Sequence, residues 1–149
     1  MSWSIQGINH VGLAPKDPAK AKWFLGELLG LAHLGDELVG SQKTLTSMFH
    51  HDSSKAHTTK PDQGQRLEIL EPAPSGQGPI ASFLEKKGSG IHHIALTVDN
   101  LDDLLSHLKG KSVRMIDETP REGAHRTRIA FVHPEATGGL LIEFVEESK

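Results

Sequence analysis

Two hydrophobic periods alternate along this chain, and the alternation occurs twice. The stretch "INHVGLAP", residues 8–15, has the period of two expected of a strand. Asp17-Pro18 then offers an N-cap and a first-turn proline. Ala21, Phe24, Leu25, Leu28 and Leu29 recur at helical spacing up to Gly30, a C-terminal glycine. "LAHLGDEL" and "KTLTSMFHH" read as strands, the polar run "HDSSKAHTTKPDQGQ" as a long loop, and "RLEILEP" as a further strand.

"APSGQG", residues 73–78, is the clearest break. Pro79 opens a short helix with Ile80, Phe83 and Leu84 as its apolar stripe, closed by Gly88 and Gly90. The pattern then restarts. "IHHIALTV" is a strand and Asn100 a cap. Leu101, Leu104, Leu105 and Leu108 line a helix ending at Gly110, and "SVRMID", "TRIAFVHP" and "GLLIEFVE" follow as three strands.

The two passes match in spacing. His10 lies seven residues before Asp17, and His93 seven before Asn100; Glu68 follows His10 by 58 residues and Glu143 follows His93 by 50. Each glutamate has another three residues on, Glu71 and Glu146. The spacing predicts an α+β chain built from two copies of a βαβββ unit packed face to face. The copies are expected at 5–72 and 89–147, with a linker and short helix at 73–88, all within one domain spanning 1–149.

Strand alternation separates the paired histidines. His93, Ala95 and Thr97 share one face with small neighbours, as do His10, Gly12 and Ala14; His92, Ile94 and Leu96 share the other. His10 and His93 are therefore expected to face a common cleft, with His92 on the helix-packed side. Two histidines and two glutamates make an N/O donor set for a divalent ion: zinc, cobalt, nickel or iron through imidazole, with manganese or magnesium also accepted by carboxylate. For His33, His50, His51, His57, His107, His125 and His133 a surface or locally bonded role is expected.

The chain contains no Cys, which excludes disulfides, thiolate ligands and a Cys nucleophile. A net charge of −3 gives no electrostatic footprint for nucleic acid. No apolar run approaches the ~20 residues of a membrane span. The opening "MSWSIQGINH" lacks the pattern of a secretory signal, so a cytoplasmic protein is expected.

"INHVGLAP", "LGLAHL", "RLEILEP", "PIASFLEKKGSGIHHIALTVDNLDDLL", "IDETPREGAH" and "IAFVHPEATGGLLIEFVE" cover most of the chain. In these stretches it resembles the methylmalonyl-CoA epimerases of the vicinal oxygen chelate (glyoxalase/bleomycin resistance/dioxygenase) superfamily. The resemblance implies two βαβββ modules in a cupped, incomplete barrel around a divalent metal (cobalt, zinc, nickel or manganese). It implies His10, Glu68, His93 and Glu143 as ligands, an acyl-CoA substrate, a homodimer, and inversion at C2 of methylmalonyl-CoA. Glu143 is the leading candidate for the base, with Glu68 as its pseudo-symmetric counterpart. A glyoxalase I-type isomerase and a non-catalytic binding protein are the alternatives; a ring-cleaving dioxygenase, needing only three protein ligands, is disfavoured by His10.

Three departures stand out. Arg126 occupies a position where a glycine is expected, and would meet a substrate carboxylate, obstruct the pocket or point outward. Thr46 aligns with a carboxylate of some epimerases, leaving the second acid/base without an owner; "QGV" reads Gln42-Lys43-Thr44. The loop at 50–65 exceeds the tight hairpin expected there and suggests a lid, a substrate-specific element or a surface insertion. Lys86, Lys87, Arg121 and Arg128 are read as solvated surface.

Overall fold

The computed structural model describes residues 2–51 and 66–148; beyond His51, the expected loop lies outside the described residues. The elements run β1 (Ile5–Ala14), α1 (Pro18–Trp23), β2 (Ala32–Val39), β3 (Thr44–His50), β4 (Arg66–Pro72), α2 (Pro79–Lys87), β5 (Gly90–Val98), α3 (Leu101–Gly110), β6 (Arg121–Glu122), β7 (Arg128–Val132) and β8 (Ile142–Glu146). The order is βαβββ, a connecting helix, and βαβββ again. Contacts divide the chain into two units, His10–His92 and Met1–Asn9 with His93–Lys149.

In the unit His10–His92 the strand order is β2-β3-β4-β1, with β1 parallel to β4 and the other neighbours antiparallel. The Asp17 side chain accepts from the Lys20 N–H, and Pro18 fills the first turn. The helix does not continue regularly to Gly30. After Trp23 it widens into a π-helical turn, Phe24–Leu28, and Gly30 ends it at φ +71°. The expected stripe is consequently split. Leu25 packs with Phe49 and Ile69, and Ala21 against them, whereas Trp23, Phe24, Leu28 and Leu29 are about half exposed. A π turn takes more residues per revolution than an α turn, so positions three and four apart lose their common face. α2 inserts Ile80 against Ala14 and Leu70, with Phe83 and Leu84 alongside.

In the other unit the order is β5-β8-β7-β6, with β5 parallel to β8. Asn100 caps α3 by accepting from the Asp103 N–H. Leu101, Leu104 and Leu105 are buried with Val98, Ala130, Val132 and Phe144. The expected strand "SVRMID" is absent. Only Met115 forms an isolated bridge, to Val132, and the edge strand is the two-residue β6. Local bonds take the place of a ladder: the N–H groups of Ile116 and Asp117 both donate to the Phe131 carbonyl, and the Asp117 carboxylate accepts from the Phe131 N–H.

Candidate metal centre and active site

Parallel strand pairing builds the same constellation in each unit. Gly12 on β1 lies opposite Glu68 on β4. His10, two residues earlier on the same face, has Nε2 3.5 Å from Oε1 of Glu68. On β5, Ala95 lies opposite Glu143 of β8, and His93, again two residues earlier, has Nε2 2.9 Å from Oε2 of Glu143. On the parallel neighbour the residue opposite each glutamate is small, Gly12 or Ala95. All four ionisable side chains are at most 6% exposed.

Burial of this kind calls for a counter-charge, because a carboxylate removed from water is strongly destabilised unless paired. An imidazole that ligates a metal is neutral, which leaves each pair with one negative charge to balance. A divalent cation satisfies that demand, and imidazole nitrogen with carboxylate oxygen is its ordinary donor set. The residues present therefore fit a metal.

Supporting contacts surround these side chains. The His93 ring packs edge-on against Phe131, centroids 5.6 Å apart, and Phe131 lies opposite Glu143 on β7. The Arg121 guanidinium covers the Phe131 ring and pairs with Asp117 at 3.1 Å. In the unit His10–His92, Met48 lies opposite Glu68. Two residues along β3, buried Thr46 lies opposite Glu37 of β2 and donates to the Glu37 carbonyl at 3.2 Å.

The reverse face of β2 and β3 carries a separate polar network. Asp36 accepts from Ser47 at 2.5 Å and bonds His33 at 2.9 Å, and His33 stacks on Phe49. The Ser47 hydrogen bond, above all, holds the Asp36 carboxyl below its ordinary value; His33 and Lys22 act in the same direction, against partial burial. Lys22 from α1 pairs with Glu71 at 2.6 Å, so Glu71 serves to tie the helix to the sheet.

The remaining candidates have local roles. His92 meets Phe83 edge-on at 5.1 Å, His107 packs beside Trp3, and His133 accepts from the Glu135 N–H. His50 bonds the His51 carbonyl. Arg128 pairs with Asp102 and Glu146, and Lys87 lies over Phe83. Arg126 is exposed, at φ +58°, and its carbonyl accepts from Ser148. Its left-handed backbone explains why a glycine suits the position.

A family model described as the Glyoxalase/Bleomycin resistance protein/Dioxygenase superfamily matches residues 9–131. The chain belongs to that superfamily. Within it, the resemblance to the methylmalonyl-CoA epimerases holds. The chain is 38% identical over 138 residues to the ethylmalonyl-CoA/methylmalonyl-CoA epimerase of Cereibacter sphaeroides, covering 91% of this chain and 94% of the relative. It is 37% identical to the uncharacterised protein YqjC of Bacillus subtilis over 93% of this chain and 91% of that one. The crystal structure of methylmalonyl-CoA epimerase from Mycobacterium tuberculosis superposes with a TM-score of 0.83 at 30% identity, over 97% of this chain and 90% of that one. The vicinal oxygen chelate fold implied by the resemblance is thus the fold of this superfamily member. Among the described residues no helix is long and apolar enough to cross a membrane.

Proposed function

We propose that this chain is a metal-dependent epimerase that inverts C2 of methylmalonyl-CoA, with His10, Glu68, His93 and Glu143 as the metal ligands. The observation that carries the reading is the duplicated, buried His–Glu pair held in the same parallel register on β1/β4 and β5/β8. Relatives named as epimerases of this substrate, matched over most of their length, supply the substrate class. The ion is cobalt, zinc, nickel or manganese, since all four accept mixed nitrogen and oxygen donors.

Each residue has a distinct task. A divalent ion held by His10, Glu68, His93 and Glu143 would supply Lewis acidity to stabilise the negative charge left on the thioester oxygen when C2 loses its proton. Glu143 takes that proton: the C2–H bond breaks, its electrons delocalise toward the thioester carbonyl, and the proton ends on the carboxylate. Glu68, the pseudo-symmetric counterpart, lies against His10 and serves first as a ligand. Gly12 and Ala95 keep the space beside the glutamates open, and the dry walls around His93 strengthen every charge interaction.

The units of duplication are 5–72 and 89–147, joined by 73–88. A cytoplasmic homodimer completes the proposal; the exposed apolar face of Trp23, Phe24, Leu28 and Leu29 supports the second copy.

The test uses metal-reconstituted protein and methylmalonyl-CoA in deuterated water, following the α-proton by NMR. Loss of that signal, abolished in His93→Ala, is the expected result. Persistence of the signal with metal bound would sink the epimerase reading and turn attention to a glyoxalase I-type substrate or to ligand binding without turnover.

A further inference from the structure

Inversion at carbon requires a proton to leave one face and another to arrive on the opposite face, so a single fixed carboxylate is insufficient. Thr46, at the position where the sequence suggested a carboxylate, has a hydroxyl committed to the Glu37 carbonyl. Its cross-strand neighbour is an acid. We propose that Glu37, on the Glu68 face of its own sheet, is the second acid/base of the reaction; this rests on the epimerase reading above.

The register places it. Met48 lies opposite Glu68, Thr46 is two residues along β3 from Met48, and Glu37 lies opposite Thr46. Directly paired residues project to the same side of an antiparallel ladder, as do residues two apart. Glu37, Thr46, Met48 and Glu68 therefore share one face, the face on which Glu68 meets His10. The reverse face gives an independent check: Asp36 is bonded to Ser47 there, and His33 is stacked on Phe49. The residue after Asp36 must then project toward Glu68.

A backbone irregularity is responsible for this direction. His33 pairs with Phe49, but Asp36 pairs with Ser47, so β2 carries one extra residue between them. Gly35, at φ +108°, sits within this bulge. Without it, Glu37 would fall opposite Leu45 and project to the reverse face. Bulges re-aim side chains in this way beside active sites.

The separation also suits the task. Two strand spacings and two residues of rise put the Cα atoms of Glu37 and Glu68 ~12 Å apart, leaving room for a small acyl group between their carboxyls. Glu37 is half-buried, so its proton can be restored from solvent between turnovers. In one direction Glu143 accepts the C2 proton and the Glu37 carboxylic acid donates its own to the opposite face; in the reverse direction the roles exchange.

The experiment treats the two C2 epimers separately in deuterated water with metal-loaded protein, and measures epimerisation, α-proton exchange, metal content and unfolding temperature. Glu37→Gln is expected to slow epimerisation by ~10²–10⁴-fold. It should still exchange the α-proton of one epimer without inverting it, with metal content and unfolding temperature unchanged. Glu143→Gln should exchange only the other epimer. Glu37→Asp, which retains a carboxylate, should exchange both at reduced rates. Wild-type epimerisation rates in folded Glu37→Gln, or loss of metal from it, would overturn the Glu37 assignment alone. A wild-type protein that exchanges neither epimer would overturn the epimerase reading and Glu37 with it.

Discussion

The two halves of the chain carry the same His–Glu pair in the same register but finish their sheets differently. In the first half the outer strand β2 has eight residues, is bulged at Gly35, and is anchored to its neighbour through Asp36 and Ser47. In the second half the corresponding edge has shrunk to the two residues of β6, flanked by local turns. The inner strands carry the buried His–Glu pairs, and these have the same register in both copies. The outer strands differ, and the half with the long one carries the Glu37 carboxylate on the face of its His–Glu pair. The two copies thus share the His–Glu geometry and differ at their edges.

The most severe way to break this likeness is at the ligands. Glu143→Gln should reduce epimerisation by ~10²–10⁴-fold through loss of the base, measured as kcat on saturating substrate; comparable activity in Glu68→Gln and wild type would show that the two glutamates are not equivalent ligands. A smaller effect tests the shortened edge. A Cβ on Gly123 would lie 2.6 Å from Ile129 Cγ2 and 2.7 Å from Thr127 Oγ1. Gly123→Ala should therefore cost about 2 kcal/mol in chemical denaturation.

The anchor of the long edge has a pH signature. The folded Asp36 carboxyl lies below its ordinary 3.8, so its stabilisation is complete above the unfolded value and is lost as pH falls from about 3.8 through the folded value. Ser47→Ala should lower stability by about 1 kcal/mol at neutral pH and flatten the acid limb of the stability profile below pH 4. An unchanged acid limb would mean that Asp36 does not anchor β2. The smallest change is expected at Arg126→Gly, which relieves a left-handed backbone and should raise stability by about 1 kcal/mol with activity retained. A loss of activity there would place the Arg126 side chain at the substrate after all.

Much of this organisation is legible in the residues. Asp17-Pro18, Asn100 and the spacing from each histidine to its cap announce the helices and the repeat, because capping is local chemistry. The His–Glu pairs are legible because duplication repeats their separation. What escaped depends on neighbours distant in sequence. "SVRMID" has the alternation of a strand, yet Asp117 engages the Phe131 N–H, a partner fourteen residues away. The π-helical turn at Phe24–Leu28 rotates apolar residues outward although their spacing is helical. Glu37 carries no spacing signal, since its direction depends on a bulge and a cross-strand register; Gly35 was the one local hint.

The parallel pairing of β1 with β4 has a consequence for how the protein assembles. His10 and Glu68 are 58 residues apart in the chain, and no short hairpin can bring parallel strands together. Their meeting requires closure of a loop that encloses α1, β2 and β3, a slow, non-local event in folding. An ion that binds only the closed arrangement draws the equilibrium toward the native chain by mass action. With the metal bound as proposed, metal supply and folding yield would be coupled, and growth in metal-poor medium should leave less native protein as well as a less active one.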